Sequence, residues 1–125
     1  MIHIGTFTSK RWGIVRVMRG HYERADGPTA IQLCSVHGEP IATLSVNLYM
    51  PECSADSKDL PADCFYVKTY GGHEGIAAEA LASGIFIVRE DIPDARSGFV
   101  TVPAWQIKSK LATEIALAEM EGGAA

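Results

Sequence analysis

Four histidines (His3, His21, His37, His73) and three cysteines (Cys34, Cys53, Cys64) are the residues that could ligate a metal or attack a substrate. None shows the paired spacing of structural zinc sites, where two ligands sit a few residues apart on one turn. No metal and no cofactor is expected. An odd number of cysteines without a CxxC pair cannot close into a disulfide framework, so reduced thiols are the expectation. A thiol nucleophile needs an oriented histidine beside it, and Cys64 with His73 is the best pair available. Nothing next to Cys64 in sequence lowers its pKa, and burial is the ordinary fate of such a side chain. Tyr70-Gly-Gly-His-Glu-Gly75 precedes an apolar-periodic segment and invites a phosphate-site reading. It lacks the Walker lysine and the dinucleotide glycine spacing, and Glu74 would repel an anion. It reads instead as a tight strand-to-helix turn. No catalytic residue is assigned, and the chain is expected not to be an enzyme.

Charge gives a second kind of candidate. Residues 1–24 hold Lys10, Arg11, Arg16, Arg19 and Arg24 against Glu23 alone, a net +4, while the remainder holds six basic and fourteen acidic side chains, a net −8. Arg16, Arg19 and Arg24 alternate with Trp12, His21 and Tyr22, the mixture of charge and aromatic faces that single-strand binders use. The plainer alternative is a strand edge guarded by charge, and a pI near 5.5 favours it. Glu52, Asp56 and Asp59 fall in a polar stretch at 49–62 that has the length of a functional loop. The candidate partner-binding residues are therefore Arg11, Arg16, Arg19 and Arg24 on the basic segment and Glu52, Asp56 and Asp59 on the acidic one. The acidic charge outside the basic segment is spread too thinly to specify a DNA-mimicking surface.

The elements that must position these residues are mostly strands. Ala42, Leu44, Val46 and Leu48 share one parity in Pro40–Leu48 and Ile41, Thr43, Ser45 and Asn47 the other, which predicts one central strand with one buried and one mostly wet face. Hydrogen bonding to a neighbouring element is the expected role of its polar face. Strands are also predicted over Ile2–Thr8, Trp12–Tyr22 with a bulge at Gly20, and Thr29–Val36. Turns at Ala25–Pro28 and Gly38–Glu39 join them into an antiparallel meander. Further on come a strand at Asp63–Thr69, a helix at Glu74–Ser83 ended by Gly84, and a buried strand at Ile85–Val88. Arg89–Ser97 is a charged turn and Gly98–Val102 a strand. From Trp105 the apolar spacing of Ile107, Leu111, Ile115 and Ala118 predicts a longer C-terminal helix, with 121–125 as a fraying tail. The fold class is α+β: an antiparallel β-meander with one short middle helix and a longer C-terminal helix, in a single domain over 1–125. No apolar run approaches a membrane span and no charged-then-apolar leader opens the chain, so a cytoplasmic protein without membrane contact is expected.

One likeness goes beyond periodicity. Ala30-Ile-Gln-Leu33 and Gly38-Glu-Pro-Ile-Ala-Thr-Leu-Ser-Val-Asn-Leu48 resemble a family of small proteins of unknown function carried on phages, plasmids and conjugative elements. The resemblance continues through Leu60-Pro61, Val67-Lys68, His73-Glu-Gly75, Ser97-Gly98-Phe99 and Pro103, and covers residues 12–105. It implies a genomic setting, and no catalytic residue comes with it. Small accessory proteins of mobile elements act by binding and blocking host machines, so the resemblance implies an inhibitor of the anti-CRISPR or other anti-defence kind in a bacterial host cytoplasm. Its partner would be a host protein or ribonucleoprotein complex. The alternatives are a nucleic-acid-binding accessory protein using the basic segment and, third, a small cysteine-dependent enzyme. Homodimerisation is left open.

Overall fold

Strand β1 (Ile2–Ser9) turns through Lys10–Trp12 into β2 (Gly13–His21), and β3 (Thr29–Cys34) and β4 (Pro40–Thr43) complete an antiparallel sheet in the order β1-β2-β3-β4. The computed structural model describes residues 2–22, 27–48, 56–97 and 99–108. The predicted meander is present. Gly20, however, stays in register; the sheet's register shifts lie opposite Leu33 and Cys34 in β4 and, in β1, between His3 and Gly5. The extra residue there is Ile4, and it lets Ile4 and Phe7 both face inward although they differ in parity. Gly5 then lies directly under Ile85: a Cβ at this position would come within 2.6 Å of Ile85 Cδ1.

Pro40–Leu48 is not one strand. It divides into β4 and β5 (Ser45–Val46), and β5 belongs to a second sheet. Leu44 is where the chain crosses: its N–H donates to Ile31 O in the first sheet at 2.9 Å, and its carbonyl accepts from Lys68 N–H at 2.7 Å in the second. Ser45 closes the crossing. Its buried Oγ accepts the Ile31 N–H at 2.9 Å and lies 2.7 Å from the Tyr22 hydroxyl. Thr43 Oγ1 donates to Gln32 Oε1 on β3. Thr43 and Ser45 of the polar face thus bond to the neighbouring strand β3, as expected from the sequence.

The second sheet runs β5-β6-β10-β7, with β6 at Cys64–Val67, β7 at Phe86–Val88 and β10 at Ala104–Ile107. A separate hairpin pairs β8 (Ala95–Ser97) with β9 (Val100–Val102). Helix α1 (Glu74–Ala82) packs Ile76, Ala77 and Ala80 inward. Gly84 follows its C-cap at φ +86°, the left-handed conformation expected of a C′ glycine. The main core, including Val15, Val17, Ile31, Leu33, Leu44, Phe65, Phe86, Trp105 and Ile107, joins the first sheet, α1 and one face of the second. A smaller core of Leu48, Tyr66, Ala95, Val102 and Ala104 fills the other face beneath the β8–β9 hairpin. All four residues of β6 are buried because both of its faces are covered.

Four further expectations are corrected here. The described residues are mostly antiparallel strand with one short helix, so the predicted fold with two helices does not hold. Trp105 does not start a helix: Trp105 and Ile107 face the core across from Gln106, and β10 is hydrogen-bonded between β6 and β7. The rest of that predicted helix and the tail at 121–125 lie outside the described residues. Arg89–Ser97 is not only a turn, since it contains β8. Finally, β7 is a sheet edge rather than a buried strand, with Ile87 39% and Val88 43% exposed.

Candidate functional site

The β1–β2 hairpin tip carries the most distinctive surface. Ser9 Oγ donates to Glu79 Oε1 at 2.9 Å, and the Lys10 backbone N–H donates to Glu79 Oε2 at 2.7 Å. One carboxylate on α1 therefore fixes the tip through two charge-assisted bonds. Ser9 Oγ also accepts the Arg11 and Trp12 N–H groups at 3.3 Å. With its backbone held this way, the tip lifts Trp12, 47% exposed, and places the Arg11 guanidinium 5.0 Å from the centre of its ring.

Beneath this pair is a cleft of about 190 Å³ between the tip, β4 and the start of α1. Ile41, Ala42 and Ile76 supply apolar wall, while Arg11, His73 and Glu79 supply polar groups. The glycine-rich turn before α1 forms one side of it. It is the tight strand-to-helix connection expected, with His73 at the N-cap and its N–H donating to Tyr70 O at 3.3 Å. The cleft combines an aromatic face, a permanent cation, an imidazole and a carboxylate already occupied by the hairpin. That set suits capture of a side chain or planar group from a partner.

The candidate residues from the sequence do not converge. Arg11 belongs to the tip. Arg16 is half-buried and in register with Thr6 and Cys34. Arg19 faces inward, 7% exposed, and its Nη2 donates to Asp63 Oδ1 at 2.9 Å. It is part of the scaffold rather than the surface. Asp56 is half-buried and accepts the Asp59 N–H through its carbonyl, and Asp59 is exposed at the end of a 3₁₀ turn over Ser57–Asp59. Arg24 and Glu52 lie outside the described residues. Ser57 is buried at the base of this segment; its Oγ accepts the Leu48 N–H at 2.7 Å and its own N–H donates to Leu48 O, which ties the chain at 57 back to 48.

The thiol pair is not assembled. Cys64 is buried beside Arg89, whose Nη1 lies 3.5 Å from Sγ and also donates to Gln106 Oε1. His73 is at the cleft, with Nδ1 near Gly71 O. Burial pushes the Cys64 thiol pKa up, and Asp63 and Asp91 push the same way; Arg89 opposes without reversing them. Among the described residues no group of three or more His, Cys, Asp or Glu could hold a metal. No helix among them is long and apolar enough to cross a membrane.

No family model, curated protein or solved structure matches the chain. The likeness to mobile-element proteins therefore rests on its motifs alone.

Sequence reasoning noticed Trp12 and Arg11 but missed the groups that give them a fixed setting. Glu79 gave no signal: it is one of two glutamates in α1, and nothing in its spacing points to a hairpin 69 residues earlier. Ile41 falls on the polar parity of an unbroken Pro40–Leu48 strand; its place in the cleft wall goes with the break after β4 and with the register shift that leaves it unpaired opposite β3.

Proposed function

We propose that this chain is a non-enzymatic binding protein that seats a macromolecular target on the β1–β2 hairpin tip. The observation that carries the reading is the exposed Arg11–Trp12 pair, stacked above a small apolar-walled cleft on a tip whose Ser9 and Lys10 are bonded to Glu79. Tryptophan and arginine dominate the energetic centres of protein interfaces, and a pair held rigid before binding loses little entropy on contact. The motif likeness adds the setting: an accessory protein of a phage, plasmid or conjugative element that occupies a bacterial host's defence machinery. The target class is a protein or ribonucleoprotein complex, with CRISPR effectors first in line. A pull-down from host lysate, with and without expressed CRISPR effectors, is expected to recover a stoichiometric partner. Recovery of none in either lysate would count decisively against it.

Nucleic-acid binding is the second reading, and the same Arg11–Trp12 stack favours it as a platform for a base. Arg19 weakens it, because that guanidinium is committed to Asp63. This reading expects Trp12-dependent binding of single-stranded oligonucleotides that falls steeply with salt. Binding unchanged by charge reversal at Arg11 and Arg16 would remove it.

A further inference from the structure

The cleft beneath the hairpin tip is lined by a glycine that the fold does not call for. Gly75 is the second residue of α1 and has none of the left-handed φ of Gly72 and Gly84. A Cβ built on it would meet nothing within 4 Å. Glycine is the poorest helix former after proline, so neither conformation nor packing accounts for it. Its effect is to leave one side of the cleft without a side chain, and Gly72 does the same beside it. The remaining space, about 190 Å³, exceeds the roughly 150 Å³ that holds a benzene ring in an apolar protein cavity. The charges around it are not equally engaged. Both Glu79 oxygens accept bonds from the hairpin, at 2.9 and 2.7 Å. The Arg11 guanidinium, stacked on Trp12, makes no hydrogen bond or ion pair among the described residues, and Lys10 beside it is exposed.

We infer that the cleft takes an acidic peptide segment of the target. An apolar side chain of leucine to phenylalanine size enters between Trp12, Ile41 and Ile76, and a carboxylate on a neighbouring residue binds Arg11 at the rim. The inference rests on the hairpin-tip reading and names the chemistry that the tip selects. A guanidinium stacked by its face keeps its in-plane N–H groups for a partner, and their fork matches a carboxylate. Gly72 and Gly75 leave room for the peptide main chain at the mouth. A nucleic-acid strand fits less well, because it brings a phosphate with every nucleotide and needs a track of cations. Past Lys10 and Arg11 the next arginines of the hairpin are Arg16, half-buried, and Arg19, bonded to Asp63. Glu79 in the cleft and Glu74, exposed at the start of α1, repel successive phosphates. A single carboxylate needs only Arg11.

The test is selection of short random peptides displayed on phage against the full chain, followed by titration of the most enriched peptide in synthetic form. Enrichment of aspartate or glutamate close to leucine, isoleucine, methionine or phenylalanine is expected. Gly75→Leu fills the open side of the cleft and should weaken the peptide at least about tenfold, while the unfolding temperature stays at or above that of the wild type. Arg11→Glu should weaken it to a similar degree, and the peptide with its acids replaced by lysine should then bind the Arg11→Glu chain. No enriched sequence, an enriched sequence without acids, or binding that survives Gly75→Leu overturns the proposal. So does a lysine peptide that gains nothing, or an oligo-dT strand that binds in place of the peptide and is lost with Gly75→Leu. The two readings separate on the target itself. A target weakened by Trp12→Ala and Arg11→Ala but indifferent to Gly75→Leu keeps the tip as the interface and removes the cleft from it.

Discussion

Arg19 shows how a charge read as surface can belong to the core. It lies on the same parity of β2 as Val15 and Val17, both fully buried, so its guanidinium enters the protein and needs an anion there. Asp63 supplies it from a position with φ +61°, a left-handed conformation that an aspartate tolerates better than most residues. The Asp63 carbonyl also accepts the Ile107 N–H, so the residue joins the ion pair to β10. Replacing either partner strands the other charge, and Arg19→Ala or Asp63→Ala should each cost about 3 kcal/mol in urea unfolding. The double variant should cost clearly less than their sum, because the two share one interaction. The parity of Val15, Val17 and Arg19 was visible in the sequence; an aspartate 44 positions away that would meet the guanidinium was not. Cys64 makes the opposite case. Its expected burial holds, and its raised thiol pKa predicts that native protein at pH 8 reacts with a disulfide reagent at this position far more slowly than unfolded protein does. A fast-reacting native Cys64 thiol would revive the cysteine-enzyme reading.

At the scale of elements, simple alternation was legible and departures from it were not. The first three strands, the Glu74–Ala82 helix and the Gly84 stop follow from pattern and turn chemistry. The bulge at Ile4 was hidden because Gly20 is the better bulge former by composition, whereas packing of Ile85 against Gly5 decides the site. β8 was hidden because three residues in a charged stretch give no period. Trp105 misled because an apolar residue followed by Ile107 fits a strand as well as the helical stripe that continues at Leu111; burial of β10 between two neighbours settles it. The link between α1 and the hairpin tip was equally invisible, because it depends on one carboxylate. Glu79→Ala should therefore loosen the tip with limited effect elsewhere: a loss of about 1–2 kcal/mol and exchange of the Lys10 amide faster by about tenfold. Unchanged protection at Lys10 would show that the tip does not depend on α1.

At the scale of the described residues as a whole, two four-stranded sheets are joined through Leu44 and Ser45, the β8–β9 hairpin lies over the second, and β6 is buried on both faces between two cores. That construction places ionisable groups where only their neutral forms are comfortable. Burial raises the pKa values of the Tyr22 and Tyr66 phenols and of the Cys64 thiol. A group whose folded-state pKa is raised contributes stability that is present below its unfolded value and is lost as pH rises through the folded one. Stability should therefore be flat through neutral pH and fall above about pH 9–10, where unfolded thiols and phenols ionise first. Tyr22→Phe should reduce part of that alkaline fall, although it also removes the bond to Ser45; a pH–stability curve on both proteins checks this. On the acid side, Arg89 lowers the Asp91 pKa to about 2, but that pair is exposed and its effect should be small.

The whole-molecule claim is that the target sits on the hairpin tip, and binding of paired surface variants to the recovered partner tests it most directly. Trp12→Ala and Arg11→Ala are compared with Asp59→Lys, which changes the acidic segment and leaves the tip alone. Each tip substitution is expected to weaken binding by at least about tenfold, as an aromatic or arginine anchor would, while Asp59→Lys changes it less than about threefold. The reverse pattern, with binding lost at Asp59 and kept at Trp12 and Arg11, would contradict it.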